Sequence, residues 1–377
     1  MSVRTGEREA SPRVRDVRAG ALERIRRSPV PSPRYGLSVF LRKALPDART
    51  VKPACPSRVA VSGGALSHCS LSDLDGRLSR LLERRVADDT SVALHVLHGD
   101  RAALLRIPEG QSGSVRLHHL VAPGAFTTLI VQAGTRARLT VEEEMVSSEG
   151  NGYGSTLVLL ALGEEAEVDW FSVLTGTSGH RALERLTAVQ RGGILRHYGA
   201  VVGCDSVRES LHVALQGEGA SVTAKGLFLA HGGGQYDLAA TSEHHSPSTN
   251  SDLLMKGIVG GRAQAVYRGL VHVAATAPKS NGYQRVNTLL LSSQAEVDAV
   301  PKLEIKTDDV RCTHGATTSH VNPEQLFYLQ SRGLSAERAA ELVVSGFLQS
   351  VVLSYPEAMR SELAHAVASS VAQTLNP

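Results

Sequence analysis

Two side chains near the C-terminal end of the sequence carry the most chemistry for their spacing: Cys312 and His314, one residue apart. On an extended backbone residues two apart face the same side, so a thiol and an imidazole would stand together there. Soft sulfur and borderline nitrogen suit a thiophilic metal. Two ligands do not complete such a site, since these metals ordinarily take four. On the residues alone, a small thiol and a core imidazole packed beside a turn account for the pair at least as well.

The segment before the pair indicates how it would be held. Leu303 and Ile305 alternate with Lys302, Glu304 and Lys306, the period-two pattern of a half-buried strand, and Thr307, Asp308 and Asp309 supply the turn that ends it. Gly315 permits a turn directly behind His314, which would set the pair at a corner. Glu304, Asp308 and Asp309 also have the look of the paired carboxylates used by polysaccharide-cleaving enzymes. Against that reading, such enzymes present aromatic sugar platforms, and Trp170 is the sole tryptophan.

Other motifs carry less. His244 and His245 are adjacent, so on a strand they point to opposite faces and cannot share an ion without a bulge; one of them is expected to be buried. Gly232, Gly233 and Gly234 are read as a turn, because a phosphate-binding loop needs a following helix and Gln235 to Ala240 has the pattern of a strand. No Walker lysine motif occurs, so any coupled ATP hydrolysis belongs to another chain. Cys55, Cys69, Cys204 and Cys312 are widely scattered, which excludes a zinc knuckle or a CxxC redox motif and suits a reducing compartment.

The elements that must position these residues are mostly strands. From Val92–Val96 to Tyr283–Leu291 the chain reads as about fifteen short strands, with Gly, Asn or Pro between most of them. A sandwich, a propeller and a parallel β-helix all satisfy that count. Irregular spacing disfavours propeller blades, and frequent small side chains suit coils that stack strand on strand. Before this region, Pro29, Pro31 and Pro33 break any helix over Val17–Arg27, giving a frayed arm, while Leu71, Leu74, Leu78, Leu81 and Leu82 recur at helical spacing behind Ser70 or Ser72 as N-cap. After it come three helices, from Pro323 to Gly333, from Ser335 to about Tyr355, and from Glu357 through Val371. The expected organisation is an arm and helical region over 1–90, a β core over 91–314 and a helical region over 315–377.

Bulk properties exclude little. The 377 residues suffice for a large core, and 40 Lys plus Arg against 37 Asp plus Glu leave a net charge of +3, no reason to expect nucleic acid or a membrane as partner. No stretch has the length and apolarity of a membrane span or a secretory leader. A soluble protein is therefore expected; the Arg- and Ser-rich beginning hints at a transit peptide, but Glu7, Glu9, Asp16 and Glu23 are more acid than such peptides normally tolerate.

Taken together, four runs carry a resemblance. Pro301-x-Leu303-Glu304-Ile305, Asp308-Asp309-Val310-x-Cys312-x-His314-Gly315-Ala316-Thr317, Glu324-Gln325-Leu326-Phe327-Tyr328-Leu329 and Ser331-Arg332-Gly333 closely resemble the C-terminal part of the SufB/SufD family, scaffold subunits that assemble iron–sulfur clusters. The run from His244 through Pro247 and Ser251 to Lys256-Gly257 resembles the same family. The absence of cysteine from Leu289 to Asp298 makes the chain most like SufD, although Thr317-Thr318-Ser319 reads more like SufB. Tyr35 to Leu45 occupies the place of the family's tryptophan-tyrosine signature without the tryptophan.

The resemblance implies a right-handed parallel β-helix flanked by helical regions, and a scaffold that is not an enzyme. It implies a SufB-like partner on the last coils and a SufC-like ATPase on the C-terminal helices, the latter contact expected at Gln330, Arg332, Leu334, Leu342 and Phe347. His314 would stand at the SufB junction as metal ligand or gate, with the missing ligands supplied by the partner, and Cys312 would assist as thiolate or packing. The iron–sulfur cluster would be transient cargo shared with SufB, reduced flavin would be bound in the assembled complex, and the isolated chain would form a homodimer. The compartment would be the cytoplasm, or a plastid-type organelle in a eukaryote. The competing readings are a polysaccharide-cleaving β-helix enzyme and a homo-oligomeric scaffold without SufB.

Overall fold

The structure, a computed structural model, describes residues 12–27, 51, 59–64, 66–71, 74–99, 101–147, 150, 152–176 and 178–375. A helix α1 (Pro12–Arg27) precedes two short strands, β1 (Val59–Ser62) and β2 (Ser67–Ser70), and two more helices, α2 (Gly76–Asp88) and α3 (Thr90–His98). Long strands then follow without interruption: β3 (Arg101–Ile107), β4 (Ser112–Val121), β5 (Phe126–Ala133), β6 (Arg138–Ser147), β7 (Tyr153–Leu162), β8 (Glu167–Thr175), β9 (His180–Val189) and β10 (Ile194–Val202). They continue through β11 (Ser206–Leu215), β12 (Ser221–Ala230), β13 (Gln235–His244), β14 (Asn250–Val259), β15 (Gln264–Val273), β16 (Ser280–Leu290), β17 (Glu296–Ile305) and β18 (Val310–His320). Helices α4 (Pro323–Ser331), α5 (Ala336–Val352) and α6 (Glu357–Leu375) close the described chain.

Consecutive strands alternate between two sheets, and every second strand pairs in parallel with the one before it. One sheet runs β1-β4-β6-β8-β10-β12-β14-β16-β18 and the other β17-β15-β13-β11-β9-β7-β5-β3-β2. Each coil thus adds one strand to each sheet, and the chain forms a parallel β-solenoid with helices at both ends, the architecture the sequence led us to expect. Among the described residues only β1 and β2 pair antiparallel, at the first edge of each sheet. The turns stack as closely as the strands. Gly261 has φ +63, and a Cβ there would lie 2.9 Å from the backbone nitrogen and oxygen of Gly232 one coil earlier. Only glycine fits both the left-handed conformation and the approach.

Alternation sends one set of side chains between the sheets and the other outward. Between them lie Leu117, Val141, Leu160, Leu183, Val213, Phe228 and Val271, all buried. A charged seam crosses this interior. Arg185 Nη2 stands 3.0 Å from Glu143 Oε2, Arg185 Nη1 stands 3.2 Å from Glu209 Oε1, and Trp170 Nε1 donates to Glu143 at 2.9 Å. Burial acts to raise the Glu143 carboxyl, and the Arg185 charge outweighs it and holds the group below its ordinary value.

Helices cover the outward faces. Val17, Ala21 and Ile25 of α1, Leu78 and Leu82 of α2, and Val92 and Val96 of α3 pack with Ile130, Leu157 and Leu186 of one sheet. On the other sheet, Val344, Leu348 and Val351 of α5 and Leu363 and Val367 of α6 cover Phe171, Leu227 and Ile258. A helix whose apolar stripe finds such a surface is stabilised by packing more than by intrinsic propensity.

Four expectations are corrected. Val92–Val96 is the middle of α3, not a strand: the run is apolar without alternation, a pattern that strand and buried helix share, and Asp89 caps it by accepting from Ser91 N at 2.8 Å. Val17–Arg27 lies in a packed helix, because Val17, Ala21 and Ile25 fall at four-residue steps onto α2 and α3; Pro29, Pro31 and Pro33, and also Tyr35–Leu45, lie outside the described residues. The cap of α2 is Asp75, accepting from Arg77 N at 3.0 Å and Leu78 N at 2.9 Å, whereas Ser70 ends β2 and Ser72 lies outside the described residues. Gly315 forms no corner: it pairs with Arg285 in the middle of β18, which runs on to His320.

Candidate metal-binding end of the solenoid

Strands β17 and β18 form the last coil, joined by the turn at Thr307, Asp308 and Asp309. Each is the terminal strand of its sheet, so among the described residues its outer edge pairs with no further strand. An uncovered row of backbone donors and acceptors is a template for another chain. The exposure of the coil follows from this position, since β18 repeats the inward and outward alternation of β16 with nothing stacked above it.

Cys312 and His314 stand on that last strand. In the parallel register Cys312 lies over Gly282 and His314 over Gln284. Gln284 is fully buried between the sheets and Cys312 packs against the interior core, so the two donors stand on the interior side of the sheet, at its open end. Cys312 is half-buried and His314 exposed. Gly282 leaves room for the sulfur: a Cβ there would sit 3.3 Å from Cys312 Sγ and 2.5 Å from Val271 Cγ1. Burial pushes the Cys312 thiol above its ordinary value, partly offset by the Gly282 backbone N–H. A metal would therefore have to displace a proton to take this sulfur as thiolate. Among the described residues no group of three His, Cys, Asp or Glu side chains is arranged to hold an ion. The rim offers two donors and an opening.

The remaining candidate residues divide. Gln330 and Arg332 are exposed at the end of α4, Leu334 is half-buried and Leu342 is 48% exposed. Leu342, Val343 and Phe347 of α5 line one side of an apolar groove whose other side is Tyr328 and Leu329 of α4. Phe347 is fixed from below, its carbonyl accepting from Lys256 Nζ, which also sits 4.7 Å from its ring centre. Phe327 and Tyr328 of α4 face outward, 73% and 57% exposed.

Glu304 lies opposite His272 on β17, Asp308 and Asp309 lie in the turn, and all three are exposed. Trp170, 1% exposed, is sealed in the interior and gives them no platform. His244 is buried, bonded to Thr249 Oγ1 at 2.8 Å and Ser251 Oγ at 2.9 Å, while His245 faces the other way toward Glu243. The three glycines at 232–234 form a turn. Cys69 is half-buried on β2, Cys204 is buried, which pushes its thiol up to about 12, and Cys55 lies outside the described residues.

Comparison with known proteins agrees with this geometry. Residues 117–347 match the model of the SufBD core domain of the SUF system for FeS cluster assembly. The chain is similar to the iron–sulfur cluster assembly protein SufD of Escherichia coli, 35% identical over 162 residues that make up 43% of this chain and 37% of the relative. It is 29% identical over 203 residues to a SufBD family protein of Staphylococcus saprophyticus and 28% over 203 residues to one of Staphylococcus epidermidis, covering 54% of this chain and 44% of each relative. The chain thus spans less than half the length of these curated relatives. With its parallel solenoid core and its likeness to SufD, the chain belongs to the SufB/SufD family of the SUF iron–sulfur cluster assembly system.

Proposed function

We propose that this chain is a non-enzymatic scaffold subunit that pairs the open end of its solenoid with a SufB-like subunit and docks a SufC-like ATPase on its C-terminal helices. The observation that carries the reading is the placement of Cys312 and His314 at an uncovered sheet end, on the side facing the solenoid interior. There the chain contributes half of a ligand set, and the partner's last strands supply the rest. The iron–sulfur cluster is cargo assembled at the junction and passed on; reduced flavin enters, if the assembly carries it, with the complex and not through a pocket assigned to this chain.

His314 acts as the nitrogen donor or gate, and Cys312 as thiolate or as packing beneath it. The groove between α4 and α5 receives the ATPase, with Leu342 and Phe347 as apolar contacts and Gln330, Arg332 and Leu334 at its rim. Nucleotide-driven closure of the ATPase pair would then shift α5, which packs on β14 beside the last coils. Residence in the cytoplasm, or in a plastid-type organelle in a eukaryote, follows from the same reading; no described helix is long and apolar enough to cross a membrane.

Affinity co-purification with the SufB-like and SufC-like chains of the same source tests it. Ala316→Asp, on the open end, should abolish recovery of the SufB-like chain, and Leu342→Asp, in the groove, should abolish recovery of the ATPase. Recovery of homodimers alone would establish the homo-oligomeric scaffold instead. Cleavage of an acidic polysaccharide by the purified chain would establish the enzyme reading.

A further inference from the structure

A second group of donors lies away from the open end, on the outward face of the sheet that carries β11, β13 and β15. Glu243 on β13 has both carboxylate oxygens engaged by imidazole nitrogens, Oε1 lying 3.3 Å from His212 Nε2 and Oε2 lying 2.9 Å from His245 Nε2. His272 stands directly opposite Glu243 in the β13–β15 register, and its ring centre lies 6.4 Å from that of His245. The alternation that puts His244 inside puts Glu243 and His245 outside together, and the parallel stacking brings His212 and His272 alongside from neighbouring coils.

His212 is the residue that a purely structural role leaves unexplained. It is 4% exposed, and neither of its ring nitrogens makes a hydrogen bond of acceptable geometry, although Nε2 is aimed at the Glu243 carboxylate. An imidazole buried with Nδ1 unbonded and only a poorly aligned Nε2 contact weakens the fold unless a further ligand engages it. His272 Nδ1 is likewise buried and unbonded, whereas His245 and Glu243 remain open to solvent at 31% and 19% side-chain exposure. The group is therefore sealed below and accessible above.

We propose that His212, Glu243, His245 and His272 form a binding site for a single borderline divalent transition-metal ion, separate from Cys312 and His314. Three imidazoles and one carboxylate are the donor set that favours zinc, ferrous iron or nickel over magnesium or calcium. A ring centre lies about 3.2 Å from an ion its nitrogen coordinates, so two rings on one tetrahedral ion stand about 5.2 Å apart, and His245 and His272, 6.4 Å apart, must close by about 1 Å to share one. Among the described residues no three such donors stand arranged to hold an ion, so binding requires these side chains to move together. Arg84 of α2, with Nη2 3.4 Å from Glu243 Oε2, supplies the balancing charge until then and is 52% exposed, free to swing away as an ion enters.

Zinc titration of the purified full chain, followed by calorimetry, tests the site. A Cys312→Ser, His314→Ala background removes the other donors first and should still bind about one ion; that result also keeps the test independent of the function proposed above. In this background His245→Ala and Glu243→Gln should each weaken zinc at least tenfold, with the far-ultraviolet circular dichroism unchanged because both side chains reach solvent. Binding that the background substitutions abolish, or that His245→Ala and Glu243→Gln leave intact, would overturn the proposal, as would no binding at all.

Discussion

At the scale of single residues, the end of the solenoid depends on what is absent as much as on what is present. Gly282 under Cys312 has no side chain to contest the sulfur's place, and Gly282→Ala would set a Cβ 2.5 Å from Val271 Cγ1. Overpacking of this kind costs about 1–3 kcal/mol, so the urea midpoint should fall and Cys312 should react faster with a thiol reagent. Buried histidines act on acid stability. Burial lowers His244 to about 4, below the ordinary 6.5, so the unfolded chain binds the proton more readily over that interval. The stability held by neutral His244 is present above pH 6.5 and is lost as pH falls toward 4, and His244→Gln should flatten that part of the pH profile of the melting temperature. Cys312 and His314 could be picked out from the sequence by their spacing, because alternation on a strand depends on residue number alone. Their open surroundings could not, since these depend on where the stack ends.

At the scale of elements, the helical cap is held by charge as well as by apolar contact. Arg208 of β11 reaches Asp89, Glu184 on β9 and Asp237 on β13, and Asp89 is at once the C-cap of α2 and the N-cap of α3. Removing one partner from a buried ion group leaves uncompensated charge, a loss of about 3–5 kcal/mol. Arg208→Ala should lower the unfolding temperature by that much stability and release α2 and α3 first, which hydrogen exchange would register over residues 76–98. Glu184 answers pH in the opposite sense to His244. Burial raises it to about 7 from 4.5, so its neutral form stabilises the fold below pH 4.5 and that contribution disappears as pH rises toward 7. Glu184→Gln should therefore gain stability relative to wild type at pH 8 and lose the advantage at pH 4. None of this network was legible in the sequence, because Arg208 and Asp89 lie 119 residues apart and meet only through the register of stacked coils. The same limit explains α3: a run that is apolar on all sides reveals burial without revealing its period.

At the scale of the whole molecule, the strand count made an all-β core readable and left stacked coils as one of three arrangements, which the family resemblance decided. Pro323 in the first turn of α4 and Ser335 as the N-cap of α5 made two of the C-terminal helices readable, through local chemistry. What the sequence held back is the asymmetry of the two ends. At the first edge β1 and β2 are antiparallel strands of 4 residues each, whereas at the last edge β17 and β18 present 10 and 11 residues with no further strand among the described residues. An uncovered edge should find a partner, and the isolated chain should associate with itself in a concentration-dependent way by analytical ultracentrifugation, reverting to a single heteromeric species when the SufB-like chain is added.

The most direct test is the iron and acid-labile sulfide content of the anaerobically purified assembly of this chain with its SufB-like and SufC-like partners, comparing wild type with His314→Ala. The account predicts an intact assembly of unchanged composition whose iron and sulfide fall at least fivefold. An intact assembly with the wild-type content of both would contradict the assignment of the open solenoid end as half of the cluster site.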